Sequence, residues 1–149
     1  MKPTRTWILV TDGARARILE NDGPGRGVRA LQGLQFEADH TRTHDLVNDR
    51  LGRSYDSHGP GRAAIEPHSD PHRALKAKFA DHLAQVLAKA LDTGSYDRLV
   101  VVAAPVTLGD LRAALTPKVR EKVIGELSKD LTKIPDSEIG NHLGDVLPV

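Results

Sequence analysis

Apolar residues along this chain come in short runs with polar stretches between them, and the period of each run predicts an element. Residues 6–11, TWILVT, are apolar and β-forming and predict a buried strand. Asp12-Gly13 follows as a turn signal. In residues 15–20, RARILE, alternation sets Arg15, Arg17 and Leu19 on one face and Ala16, Ile18 and Glu20 on the other, as in a second strand paired with the first. Asn21-Asp22-Gly23-Pro24-Gly25 predicts a turn. Residues 28–36 then place Val28, Ala30, Gln32, Leu34 and Phe36 on one face of a third strand, with Gly33 as the expected site of a bulge or close approach. The chain is therefore expected to open as a β-meander.

Residues 38–69 break this rhythm. Asp, His, Arg, Ser, Gly and Pro dominate, and Leu46, Val47, Leu51, Tyr55 and Ile65 are scattered apolar anchors. A polar loop of this length inside a compact domain points to a functional loop or to a segment packed against a partner. A long helix is predicted next. Asp70 is placed to cap it, Pro71 to occupy its first turn and Gly94 to stop it. Leu75, Phe79, Leu83, Val86, Leu87, Ala90 and Leu91 form its apolar stripe.

Residues 98–103, RLVVVA, are continuously apolar, the pattern of a central strand covered on both faces, and Pro105 ends it. Leu108, Leu111 and Leu115 fit a short helix. The stretch 119–127, VREKVIGEL, reads two ways: its spacings suit a helix, whereas Val123-Ile124-Gly125 suit a strand. A last short helix is expected from Asp136 to Leu143, with Ile139 and Leu143 inward. No internal repeat or linker divides the chain, so residues 1–149 are expected to form one α/β domain.

Composition narrows the chemistry. Cysteine is absent, which excludes disulfides, thiolate catalysis, iron–sulfur clusters and cysteine zinc sites. The run Trp7–Val10 is too short for a signal peptide, and no run approaches the length of a membrane span, so a cytoplasmic protein without membrane contact is expected. With 21 basic and 20 acidic residues the net charge is +1, and no broad field for nucleic acid follows. The first thirty residues are mildly basic. One Trp, two Tyr and two Phe leave little for a base-stacking platform.

Four features are candidates for function. Five of the seven histidines fall between residues 40 and 72 among carboxylates, and imidazole with carboxylate suits zinc, manganese or iron. His68 and His72 are the candidates, but they straddle a predicted helix start and no His-Glu-x-x-His pattern occurs, so neither a metal nor another cofactor is expected. Second, residues 52–62, GRSYDSHGPGR, combine Gly59 and Gly61, whose amides suit an anion, with Arg53 and Arg62, whose guanidinium forks suit phosphate. The segment lacks the lysine of a nucleotide-binding loop, and Pro60 removes one amide donor. His58 within it is the one candidate acid or base. Third, Asp12 sits at a strand end beside the expected parallel strand 98–103, where ligands of α/β sheets bind, although a turn explains Asp-Gly equally well. Fourth, Arg15 and Arg17 share a face and are candidates for a polyanion, or for covering the sheet with their alkyl stems.

The blocks WILVTDGARARIL, GRSYDSHGPGRAAIEPHSDPHRALKAKFADHLAQVL and YDRLVVVAAPVTLGDLRAAL, with VIGELSKDLTKIPDSEIGNHL, together resemble the bacterial host attachment protein family over nearly the whole chain. That family is similar in fold to the middle domain of archaeal and eukaryotic peptide-chain release factors. The resemblance implies a ribonuclease-H-like mixed sheet, with an N-terminal three-stranded meander followed by alternating helices and strands, and it favours a strand near 119–127. It also sets residues 38–69 where release factors carry their Gly-Gly-Gln loop. No Gly-Gly-Gln occurs here; the matching region reads His58-Gly59-Pro60-Gly61-Arg62, in which proline and arginine change both backbone freedom and chemistry.

Two functions follow as expectations. The first is a non-enzymatic binding or adaptor protein that meets RNA, a ribosomal surface or a protein partner through residues 52–62, with an indirect role in attachment. The second is a hydrolase of an RNA phosphate or ester, with Arg53 and Arg62 holding phosphate and His58 as acid or base.

Overall fold

The computed structural model describes residues 4–38, 71–144 and 146–147. The meander is present: β1 (Thr6–Thr11), β2 (Arg15–Asn21) and β3 (Arg29–Glu37) pair antiparallel in sequence. The helix α1 (Pro71–Asp92) leads to β4 (Arg98–Ala103), which lies parallel to β1. Then come α2 (Pro105–Ala114), α3 (Pro117–Lys122), β5 (Val123–Leu127) and the one-turn α4 (Asp136–Ile139), which runs into a 3-10 turn at Gly140–His142. The result is a five-stranded mixed sheet of order β3-β2-β1-β4-β5, with β5 parallel to β4.

Both faces of the central strands are covered, as their unbroken apolar character requires. Trp7, Leu9, Leu99 and Val101 turn toward α1 and α2, where Phe79, Leu83, Leu87, Leu108 and Leu111 meet them. Ile8, Val10, Val100 and Val102 turn the other way, toward Leu131, Ile139, Leu143 and Leu147 of the C-terminal segment. Each such side chain contributes about 1.5–3 kcal/mol on full burial. Trp7 stacks on Tyr96 with ring centroids 4.7 Å apart, and the Tyr96 hydroxyl donates to the Leu87 carbonyl at 2.8 Å. Burial of this phenol, with the Asp92 charge as a smaller cause, pushes its pKa up to about 12.

Three local expectations change. In β3 the strict alternation fails, because Ile18 alone stands opposite the stretch from Leu31 to Leu34. Gly33 takes φ +81° there, and the bulge turns Leu31, Leu34 and Phe36 all toward the helical face while Gln32 is exposed. The two-way stretch 119–127 divides: Val119–Lys122 is helical, and the strand begins only at Val123. Its helix is nucleated by Thr116, whose side chain accepts from the Val119 amide at 3.3 Å. Pro105 not only ends β4 but opens α2, three residues before the expected start, since proline suits a first helical turn. Ile139 and Leu143 both point inward and are fully buried, as their spacing implies. Among the described residues no helix is long and apolar enough to cross a membrane.

Candidate functional site

Because β1 and β4 run parallel, their carboxyl ends open on one edge of the sheet, and four segments meet there. The first is the turn between β1 and β2. Asp12 Oδ1 accepts from the Ala14 and Arg15 amides, both at 2.9 Å, and the Asp12 amide donates to the Arg15 carbonyl at 3.1 Å. The Thr11 hydroxyl adds a bond to the same carbonyl at 2.8 Å. Asp12 therefore has a turn-holding role in this geometry. Gly13 takes φ +92°, and a Cβ on it would lie 3.1 Å from Thr107 Oγ1, so only glycine lets the turn pack this tightly on α2.

The second segment is the end of β3, pinned by the Ala38 amide donating to the Ala14 carbonyl at 2.6 Å. The third is the N-terminal part of α1, where Lys76 packs its stem against Gly13. Both described flanks of residues 39–70 thus reach this edge. The fourth is the stretch after β5. Asp130 Oδ1 accepts from the Thr132 amide at 3.0 Å and from its hydroxyl at 2.5 Å. These bonds, with Lys133 and Arg15 nearby, hold the Asp130 carboxyl below its ordinary pKa against a smaller opposing effect of burial. The Thr132 hydroxyl also lies 3.4 Å from the second oxygen of Asp12, which links the two turns.

Arg15 and Arg17 share a face of β2, as alternation implies, yet their circumstances differ. Arg17 Nη1 donates to the Thr132 carbonyl at 2.9 Å and Nη2 donates to the Ile134 carbonyl. Its Nε lies 2.9 Å from Asp136 Oδ1 without making a directed hydrogen bond, so that contact is an ion pair only. The whole guanidinium is engaged in fastening the C-terminal segment to the sheet. The Arg15 side chain is 55% exposed, and its one ion-pair contact among the described residues, to Asp12, is long at 3.8 Å. An exposed pair at that distance holds the guanidinium weakly. Arg15 and Arg17 line a cavity of about 200 Å³ with Gln35, Phe36, Glu37 and Thr132. The edge thus offers one loosely held guanidinium over a half-polar hollow, among carboxylates already bonded to backbone.

Of the other candidate residues, Arg53, His58, Gly59, Gly61, Arg62 and His68 lie outside the described residues. His72 falls in the first turn of α1. Among the described residues no three His, Asp or Glu side chains gather as metal ligands, and His82 stands edge-on to Phe36 at 5.7 Å. Asp130, Thr132, Lys76 and Thr107 belong to this edge although no local pattern marks them, because each arrives there from a distant part of the chain.

These features define a mixed α/β protein with its polar edge at the carboxyl ends of parallel strands. A family model described as "Protein required for attachment to host cells" matches residues 7–143, and the chain belongs to that family. No curated protein matches the chain. Among solved structures, the crystal structure of an archaeal translation termination factor is similar, with a TM-score of 0.47 and 8% identity over 95% of this chain. The chain spans 38% of that factor's length.

Proposed function

We propose that this protein is a non-catalytic adaptor, acting in the cytoplasm and only indirectly in attachment, which contacts RNA on a ribosomal surface through the carboxyl edge of its sheet. The observation that carries this reading is Arg15: a side chain 55% exposed, over a shallow hollow, with a single, long ion-pair contact among the described residues. A guanidinium in this condition is available to a phosphate oxygen, and its fork suits two of them. A binding role is favoured over a reactive one because the carboxylates beside it hold turns. Asp12 is bonded to two amides, and Asp130 to the amide and hydroxyl of Thr132. The family description names a need in attachment to host cells, which an adaptor inside the cell meets through the machinery it engages.

The test is sedimentation of ribosomes from lysate at low and moderate salt, with wild type, Arg15→Ala and Arg62→Ala compared. Wild type is expected to co-migrate at low salt and to fall away as salt rises, since phosphate contacts weaken with counterion concentration. Each substitution is expected to reduce the bound fraction. Absence of co-migration at either salt overturns the reading.

A further inference from the structure

We propose that the hollow beside Arg15 takes a single unpaired guanine base, and that Glu37 is the residue that reads it. In the adaptor reading, on which this inference rests, the base belongs to the RNA whose phosphate Arg15 holds.

The pairing of β2 with β3 sets four polar side chains on one face of the sheet. Arg15 stands opposite Glu37 and Arg17 opposite Gln35, while Ala16 and Phe36, which lie between them, turn to the helical face. Val10 is the neighbour of Arg17 on β1, and it lines the same hollow. The segment after β5 forms a wall through Thr132, whose carbonyl Arg17 grips. Gln35 and Glu37, on the edge strand, are exposed. The cavity of about 200 Å³ between them has room for one base.

The four side chains are not equally engaged. Arg17 is fastened to the carbonyls of Thr132 and Ile134. Among the described residues the side chains of Gln35 and Glu37 make no hydrogen bond and no ion pair. Opposite charges that face each other across paired strands ordinarily attract. Here the one ion-pair contact of Arg15 among the described residues goes to Asp12 instead. The hollow thus has a loosely held cation at one corner, an unpaired carboxylate at the next and an unbonded amide beside it.

That set selects among ligands. A phosphate meets Arg15 favourably, but the Glu37 charge repels it from the hollow itself. What the carboxylate seeks is a neutral group with two adjacent N–H donors, which its two oxygens accept side by side. Of the four RNA bases only guanine has this, in N1–H and the 2-amino group of its Watson–Crick edge. Adenine and cytosine offer one amino donor beside a ring nitrogen that accepts. Uracil flanks its single N–H with two carbonyl oxygens, which a carboxylate repels. Guanine O6, on the same edge, accepts from the Gln35 amide. The edge is free only in an unpaired base, the form in which proteins read RNA sequence. The Phe36 ring lies against His82 on the other face, so edge contacts rather than aromatic stacking carry the selectivity.

The experiment is a fluorescence anisotropy titration of the full chain against short labelled uridine strands that carry one central guanine, inosine or adenine. Guanine is expected to bind about tenfold tighter than adenine, the worth of one hydrogen bond to a charged group. Inosine, which lacks the 2-amino group, is expected between them. Glu37→Ala, at an exposed position, is expected to bring the three strands to nearly equal affinity while binding still weakens with salt. Gln35→Ala is expected to weaken guanine and inosine alike, since both carry O6. Guanosine monophosphate as competitor forms the second arm. Displacement at concentrations equal to the strand names a free nucleotide as the source and weaker displacement names RNA; both support the site. Equal affinity for the guanine and adenine strands, no binding of any strand or of the monophosphate, or a guanine preference that survives Glu37→Ala overturns the proposal. Guanine selectivity without ribosome association rejects the adaptor reading alone, and ribosome association without selectivity rejects the guanine site alone.

Discussion

The two faces of the sheet are covered in different ways. On one face α1 and α2 lay down regular rows of Phe79, Leu83, Leu87, Leu108 and Leu111, and the cover is held by apolar packing. On the other face the cover is an irregular segment after β5, anchored at Leu131, Ile139, Leu143 and Leu147. That segment has little secondary structure to satisfy its carbonyls, and Arg17 takes over the task, bonding those of Thr132 and Ile134. Regular cover needs no such staple because its backbone is bonded internally. The irregular cover needs one, and the arginine used for it is then lost to ligand binding. Arg15, two residues before it on the same face, is left available.

Equal truncations on the two faces give the largest effect and test the contrast directly. Leu83→Ala is expected to cost about 3–4 kcal/mol, because neighbouring helices close poorly around the gap. Leu143→Ala is expected to cost about 2–3 kcal/mol, because an irregular segment relaxes more freely into the space. Urea midpoints of the two variants check this. Equal costs would show that the irregular cover is as rigid as the helical one.

Arg17→Ala is expected to cost about 2 kcal/mol through the freed carbonyls. Amide exchange should rise first at residues 131–147, ahead of α1, and Arg17→Lys should restore less than half, since an ammonium cannot fork to two carbonyls. Faster exchange spread evenly over both faces would remove the staple from the account.

The smallest expected effect concerns alkaline pH and belongs to the helical face. Tyr96 has its folded pKa raised from 10.0 to about 12, so above pH 10 the unfolded chain loses this proton first. The contribution is complete below pH 10 and is lost as pH rises toward 12. Tyr96→Phe should therefore show a shallower fall of the urea midpoint between pH 10 and 12 than wild type. Parallel curves for the two proteins would mean that the phenol ionises as easily in the folded state as in the unfolded one.

Much of the frame was legible from local pattern. Apolar continuity marks β1 and β4, the helical stripe marks α1, and the spacing of Ile139 and Leu143 predicts their inward direction. Gly33 is a visible candidate for a bulge, although the sequence does not reveal that the bulge turns Leu31 toward the same cluster as Leu34. The 119–127 stretch was ambiguous because it holds two elements, and a single period describes neither. At the polar edge, Asp12-Gly13 is readable as a turn, whereas Thr132, Asp130, Lys76 and Thr107 carry no local sign of belonging to it.

By itself the sequence determined where strands and helices run and which way their apolar residues face, because side-chain period and the backbone restrictions of glycine and proline act within a few residues. Only the tertiary structure decided that Arg17 grips carbonyls 115 and 117 positions away while Arg15 stays exposed, and that Gly13 meets Thr107 and Lys76. Those meetings follow from strand order and from β1 lying parallel to β4, which bring distant segments onto one edge through packing that no local pattern encodes.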